Sequence, residues 1–248
     1  TGDRDRQPRE ECRHPRDVSV VLARLVCATE DHVLDPVHGE PGALHETTPD
    51  GYVFRVDMRL RPYGESGPLA VPFSALEQYL ITQGRAWERY AWLKARAMTG
   101  ARHDEFYALV TPFVFRKYLD FDAYEGLRDI HRQIGEQGKR KDYAPNIKLG
   151  PGGIREIEFI VQALQLVRGG REPELRTRGT LPALSAIADR SLLPDAAIAA
   201  LRNAYVFLRN VEHRLQYRDD RQTQTLPSEA AERDALALAM GCASVDAF

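Results

Sequence analysis

GYVFRVDMRLRP, residues 51–62, decides between an all-helical chain and one that also holds a sheet. Tyr52, Phe54, Val56, Met58 and Leu60 alternate with Val53, Arg55, Asp57, Arg59 and Arg61. A period of two is the pattern of a half-buried strand, whose successive side chains point to opposite faces. Asp57 therefore projects among arginines, with residues two apart on that face about 6–7 Å from one another. Positive neighbours at that range hold a carboxylate ionised. The face suits either a surface salt-bridge lattice or a site for a divalent cation and phosphates, and alternation alone leaves both open.

Bulk properties narrow the rest. At 248 residues and 43% apolar, the chain can fill the core of one large domain or two ordinary ones. A net charge of -2 supplies no global field for nucleic acid or an anionic membrane, so neither is expected as a partner. Only five of the 34 basic residues are lysine (Lys94, Lys117, Lys139, Lys141 and Lys148). The arginines bring planar forks suited to phosphate and carboxylate, though a biased genome accounts for such an excess equally well. Cys12, Cys27 and Cys242 have no CxxC spacing, which argues against a disulfide framework or a zinc site. With no signal peptide and no run approaching the roughly 18 apolar residues of a membrane span, a cytoplasmic location is expected.

Residues 1–50 carry little function on their own terms. The chain opens without methionine on TGDRDRQPREECRHPRD, which points to a fragment or a processed product. VSVVLARLV (18–26) suits a short helix or a buried strand, and the turn-rich stretch after it is loop.

Downstream of the strand, YGESGPLAVPF (63–73) places Gly64, Ser66 and Gly67 in a turn rich in backbone donors. Such a loop can wrap a phosphate or be a plain turn. Ser74 opens a helix, with Glu77 completing a capping box. Along SALEQYLITQGRAWERYAWLKARAM, Leu76, Leu80, Trp87 and Ala91 share one face, and Arg85, Glu88, Arg89 and Arg96 fall near another, which reads as a solvated face.

From about residue 104 the chain reads as helices. FYALVTPFVFRKYLDF is broken or kinked at Pro112, and Leu127, Ile130 and Ile134 mark a helix ending in the basic EQGKRK. In NIKLGPGGIREIEFIVQALQLVRGG (146–170), three glycines lead into a helix. Its apolar side is Ile154, Ile157, Ile160, Val161 and Leu164, its polar side Arg155, Glu158, Gln162 and Gln165, and Gly169–Gly170 stop it. The loop, with Lys148 upstream, can receive an anion or simply permit close packing; it fits neither the Walker nor the Rossmann spacing. Leu181, Leu184 and Ile187 form a short helix. Asp195 caps a long one with Ile198, Leu201, Tyr205, Leu208 and Leu215 inward, and Glu212 and Gln216 on its surface. TQTLP connects to a last helix from Ser228 to Gly241.

Taken in order, DGYVFRVDMRLRPYGESGPL, RAWERYAWLKAR, NIKLGPGGIREIEFIVQALQLVRGGREPELRTRGTLPAL and AYVFLRNVEHRLQYRDDRQTQTLP resemble the glutamine synthetase adenylyltransferase/adenylyl-removing enzyme family, from about residue 50 to about 241. That family carries two similar nucleotidyltransferase halves. One attaches AMP to a tyrosine of glutamine synthetase, and the other removes it by phosphorolysis. RVDMRLRP, WERYAWLKAR and KLGPGGIREIEFIVQ are more similar to the N-terminal, removing half. The implied reaction is adenylyl-tyrosine plus phosphate giving tyrosine plus ADP.

The resemblance implies an α+β, predominantly helical chain: a partial polymerase-β-like nucleotidyltransferase domain followed by a helical bundle. The divisions are 1–50, a divergent remnant of the nucleotidyltransferase domain; 51–118, its strand, loop and helix; and 119–248, the bundle. Mg2+ is the implied metal, ATP or ADP and phosphate the substrates or products, and glutamine synthetase and a PII signal protein the partners. By position, Asp57 matches the third metal carboxylate, Arg59 and Arg61 phosphate or nucleotide contacts, and Gly64, Ser66 and Gly67 loop contacts. Arg85, Glu88, Arg89, Lys94 and Arg96, with Lys148, Arg155, Glu156 and Glu158, are motif residues expected to line or brace the cleft.

One departure matters. The family's element with two further metal carboxylates should precede residue 51, and nothing in residues 1–50 matches it. The expectation is a truncated, weakly active or inactive piece of an active parent. The alternatives are ATP-dependent adenylyl transfer to a protein tyrosine, and a non-catalytic docking module for glutamine synthetase or PII.

Overall fold

The computed structural model describes residues 60–68, 70–98, 100–116, 132, 136, 145–217 and 223–244. Outside them lie residues 1–50, the first nine residues of the strand read into 51–62, with Asp57 and Arg59, and the helix marks Leu127, Ile130 and Ile134; Leu60, Arg61 and Pro62, read as the end of the strand, form a bend leading into a turn instead. Among the described residues the protein is helical, with seven α-helices, two short 3-10 turns, one isolated antiparallel bridge and no strand. The helices are α1 (Phe73–Thr82), α2 (Ala86–Leu93), α3 (His103–Val114), α4 (Ile154–Arg168), α5 (Thr180–Asp189), α6 (Asp195–Tyr217) and α7 (Ala230–Ala239). The predominantly helical expectation is met; the expected polymerase-β-like sheet rests on residues outside the described set.

The chain divides into two compact units. The described part of the first is 60–68, 70–76, 96–98 and 100–101, built around the 3-10 turn Gly64–Ser66. Tyr63 and Gly64 both adopt left-handed backbone, at φ 62° and 59°, which reverses the chain just after Pro62.

The second unit takes 77–95 and 102 onward. Here α4 packs on α2, α5 and α6, while α2 packs on α3, α5 on α6, and α6 on α7. One apolar cluster joins Val161 of α4, Ala183, Leu184 and Ile187 of α5, and Ile198 of α6, with Leu175 beneath them. A second joins Val211 and Leu215 of α6 to Leu236 of α7 and to Ile147 ahead of α4. The two ends of α6 thus serve different cores. The connector TQTLP closes the second core from outside: Ile147 N–H donates to Gln224 O at 2.9 Å and Leu226 N–H to Pro145 O at 2.8 Å, flanking the Asn146–Thr225 bridge.

Periodicity places α4, α5 and α6 along the chain, and the structure corrects several readings of individual residues and helix ends. The continuous helix read from Ser74 begins at Phe73 and breaks after Thr82, and α2 starts afresh at Ala86. Gly84 sits in the break, where a Cβ would lie 2.5 Å from the Phe113 ring and 2.6 Å from Leu80 O. The break resets the helical phase, so Trp87, read as inward, is exposed, and Glu88, read as solvated, is buried. Pro112 does not break α3, which runs two residues further to Val114. Gln165, read onto the polar side of α4, is 1% exposed, and Ile160, read as apolar core, is 40% exposed. Glu212, read as a surface residue, is 3% exposed.

Candidate functional site

In the first unit, Arg61 clasps its own turn. Its Nε donates to Gly67 O at 3.0 Å and its Nη2 to Glu65 O at 3.1 Å. Ser66 Oγ donates to Tyr63 O at 2.8 Å, Gly64 N–H to Arg61 O at 2.9 Å, and Gly67 N–H to Gly64 O at 3.2 Å. Gly67 is required sterically, since a Cβ there would fall 1.9 Å from Pro62 O. The turn's donors are thus engaged within the turn, and a phosphate would have to replace those bonds to use them. Arg96 in the same unit donates from Nε to Met98 Sδ at 3.0 Å.

In the second unit, Glu88 lies at the start of α2. Its Oε1 accepts from Tyr79 Oη at 2.9 Å and, more weakly, from Arg85 N–H at 3.4 Å. A carboxylate this buried needs such donors to offset lost hydration. Arg85 itself is exposed. Arg89 sets its guanidinium 5.5 Å from the centre of the Phe113 ring, a cation–π geometry.

Lys94, at the end of α2, reaches across the sequence. Its Nζ donates to Arg178 O at 2.9 Å and to Thr180 Oγ1 at 3.5 Å. Tyr205 Oη on α6 donates to Glu158 Oε1 on α4 at 3.2 Å. The polar contacts thus form two separate links, Lys94 to Thr180 between α2 and α5, and Tyr205 to Glu158 between α6 and α4. Burial pushes the Tyr205 phenol up, and the Glu158 charge adds to this while the nearby Thr180 hydroxyl and the Arg209 charge oppose it. Beside these links, Tyr90 stacks on Phe159 with ring centres 5.3 Å apart.

The glycine loop before α4 is closed on itself. Asn146 Oδ1 accepts from the N–H groups of Lys148 at 3.0 Å and Leu149 at 2.8 Å. The first donors of α4 also point back into the loop, Ile154 N–H to Ile147 O at 3.0 Å and Arg155 N–H to Lys148 O at 3.1 Å. Gly152, at φ 70°, donates to Glu156 Oε2 at 2.9 Å. A Cβ on Gly153 would sit 2.8 Å from both Gly150 O and Ile147 O, so three carbonyls fill the space a side chain would need. Of the two readings left open by the sequence, this geometry matches close packing. The helix N-terminus keeps few donors for an anion.

Lys148 Nζ lies 3.6 Å from Glu212 Oε1, and Arg209 Nη1 lies 2.6 Å from Glu212 Oε2. Two cations thus share one buried carboxylate on α6. Arg155 is exposed. Sequence reasoning missed Gln165, Tyr205 and Arg176. Gln165 Nε2 donates to Leu175 O at 2.6 Å and Thr177 O at 2.7 Å. Arg176 donates to Gly169 O at 2.6 Å and stands 5.4 Å over the Phe115 ring. The only sequence hint was chemical: an amide and a guanidinium among carbonyl-rich glycine turns.

Among the described residues, no group of three or more His, Cys, Asp or Glu is arranged to hold a metal ion. With Asp57 outside them, they do not by themselves fit Mg2+. No helix among them is long and apolar enough to cross a membrane.

Two family models match in succession, one described as Glutamate-ammonia ligase adenylyltransferase over residues 42–109 and one as GlnD PII-uridylyltransferase over 127–248. Both names are those of nucleotidyltransferases, the class of protein that this helical chain is similar to. A bifunctional glutamine synthetase adenylyltransferase/adenylyl-removing enzyme from Chromobacterium violaceum is 58% identical over 205 residues, covering 83% of this chain and 23% of its own length. Its counterpart from Neisseria meningitidis serogroup A is 55% identical over 205 residues, with the same shares, and that from Nitrosomonas eutropha 52% over 209 residues, covering 83% and 22%. The chain belongs to the family of bifunctional glutamine synthetase adenylyltransferase/adenylyl-removing enzymes, and it spans less than a quarter of the length of these relatives.

Proposed function

We propose that this chain is part of an enzyme that removes AMP from an adenylylated tyrosine of glutamine synthetase by phosphorolysis. The observation that carries this reading is the 58% identity to a bifunctional adenylyltransferase/adenylyl-removing enzyme along 83% of the chain. The direction of reaction rests on RVDMRLRP, WERYAWLKAR and KLGPGGIREIEFIVQ, which resemble the removing half.

In this reading a phosphate oxygen attacks the phosphorus of the adenylyl group, the bond to the tyrosine oxygen breaks, and ADP and tyrosine leave. Catalysis of such in-line transfer is mainly positioning and charge neutralisation. Arg59 and Arg61 would carry positive charge to the transferring group, and Arg61 would also set the turn holding Gly64, Ser66 and Gly67. Lys94, Lys148, Glu88 and Glu158 brace the helices of the second unit through the contacts above. Mg2+ belongs to the proposal as the family's usual metal, with Asp57 as one ligand. A cytoplasmic setting and a PII protein as a further partner are part of the same reading.

The test supplies an enzyme carrying this segment with adenylylated glutamine synthetase and phosphate, and measures ADP. Phosphate-dependent ADP release that falls with Arg61→Ala is expected. Incorporation of labelled AMP from ATP, with no phosphate-dependent release, overturns the direction of reaction.

A second reading is favoured by one observation: residues 127–248 match the model of a uridylyltransferase, although the chain is also similar to adenylyltransferases over most of its length. A helical segment common to enzymes with different nucleotides suits a docking role for the protein substrate. Binding of glutamine synthetase that survives Asp57→Asn and needs no Mg2+ is the outcome this reading expects.

A further inference from the structure

The second unit contains a cleft of about 280 Å³ that none of the residues discussed for catalysis lines. Aromatic residues lining it are Trp92 of α2, Phe106 and Tyr107 of α3, and Phe115 just after α3, and Arg176 and Arg178 line it as well. The rings form a continuous surface. Trp92 and Phe106 lie 6.1 Å apart and tilted, and Tyr107 meets Phe106 edge-on at 5.3 Å.

Among the described residues that line the cleft are two arginines and no aspartate or glutamate. Arg176 is fixed in place by Gly169 O and by the Phe115 ring beneath it. Arg178 is exposed, while its backbone is held through its carbonyl by Lys94 Nζ at 2.9 Å. One guanidinium is therefore preorganised, and the other hangs from an anchored backbone. Aromatic rings and two arginines lining one cleft favour a ligand that carries both a flat ring and an anion. Ligand pockets usually span about 300–1,000 Å³, and at about 280 Å³ this cleft falls just below that range, which limits it to a ligand no larger than a mononucleotide.

We propose that this cleft binds a ligand of the nucleoside monophosphate class, its base against Trp92 and Tyr107 and its phosphate on Arg176 and Arg178. The proposal is independent of the adenylyl-removing reading, because it rests on the walls of the cleft alone. Trp92 supplies the readout, since the chain has only one other tryptophan, the exposed Trp87.

In a Trp87→Phe background, the chain is titrated with AMP while Trp92 emission is followed, with adenosine and inorganic phosphate as separate arms. A saturable change with AMP is expected, with adenosine and phosphate each far weaker. Arg178→Ala should weaken AMP binding about tenfold, the loss typical of one charge-assisted hydrogen bond. Arg178 is exposed, so the variant should fold, and circular dichroism checks this. Tyr107→Ser, also at an exposed position, provides a second variant that should weaken AMP and leave the phosphate arm unchanged. The proposal is overturned by an absent or non-saturable AMP response, by an equal response to phosphate alone, or by unchanged affinity in the folded Arg178→Ala protein.

Discussion

Tyr79 and Glu88 meet across a break in the helix: the phenol of α1 donates to the carboxylate of α2 at 2.9 Å, with Gly84 between them in sequence. This contact replaces what a continuous helix would have supplied. It holds the end of α1 against the start of α2 and gives a buried carboxylate its donor. Tyr79→Phe removes that donor and leaves Glu88 short of a partner. A loss of about 1–3 kcal/mol is expected, measured as a lower urea midpoint at unchanged slope. The double variant Tyr79→Phe, Glu88→Gln should recover part of that loss, because the buried charge goes as well.

The break itself is sterically specified. Gly84→Ala would press a methyl carbon into the Phe113 ring and Leu80 O, and Gly153→Ala would press one into three loop carbonyls. Each should cost about 1–3 kcal/mol, the usual range for overpacking. The Gly153 variant should be worse, since it meets three backbone carbonyls that cannot rotate away, whereas the Gly84 variant meets one, Leu80 O, beside a ring that can turn. Thermal unfolding of the two variants side by side gives the order.

Gln165 holds the segment after α4 by two short hydrogen bonds to Leu175 O and Thr177 O. Gln165→Leu keeps the volume and strands both carbonyls. About 2 kcal/mol or more should be lost, with faster amide exchange around Leu175 as the local signature. Unchanged exchange there would show that water replaces the amide without cost.

The Tyr90 hydroxyl is buried with no hydrogen-bond partner, and burial pushes its pKa up from 10.0. The folded chain therefore keeps this proton at pH values where the unfolded chain releases it. Stability is unaffected below about pH 10 and falls as pH rises through and beyond it, since the unfolded state then binds fewer protons. Tyr90→Phe should be neutral or stabilising at pH 7 and should flatten the loss of stability between pH 9.5 and about 11. Chemical denaturation across that range compares the two proteins.

Glu212 anchors two cations, Lys148 from the glycine loop and Arg209 from its own helix. Glu212→Ala should destabilise by about 1–3 kcal/mol, because two cations lose their acceptor. Lys148→Ala should cost less, because Arg209 still neutralises the carboxylate and Lys148 is 42% exposed. A double-mutant cycle measures the coupling.

Much of the fold was legible because helix signals are local. The apolar spacing of Ile154, Ile157 and Val161, of Leu184 and Ile187, and of Ile198 and Leu215 repeats every three or four residues, and glycines mark the ends. A helix buries whatever side its own period makes apolar. The break at Gly84 left a trace too, since a glycine inside a helical pattern is a known stop signal. Its displacement of Trp87 outward and Glu88 inward could be read only once Phe113 was in place beside it.

The sequence by itself determined the helical periods, the family kinship and the candidate residues from Asp57 to Glu158. Only the tertiary structure decided which polar side chains are buried. Glu88, Gln165 and Glu212 lie on the flanks of amphipathic helices, where local pattern predicts solvent. Each is buried because a donor or acceptor distant along the chain or across a break meets it there: Tyr79 Oη, the carbonyls of Leu175 and Thr177, the Lys148 ammonium. Desolvating a polar group is tolerated only where its partner is already in place, and the position of that partner is a property of the packed fold.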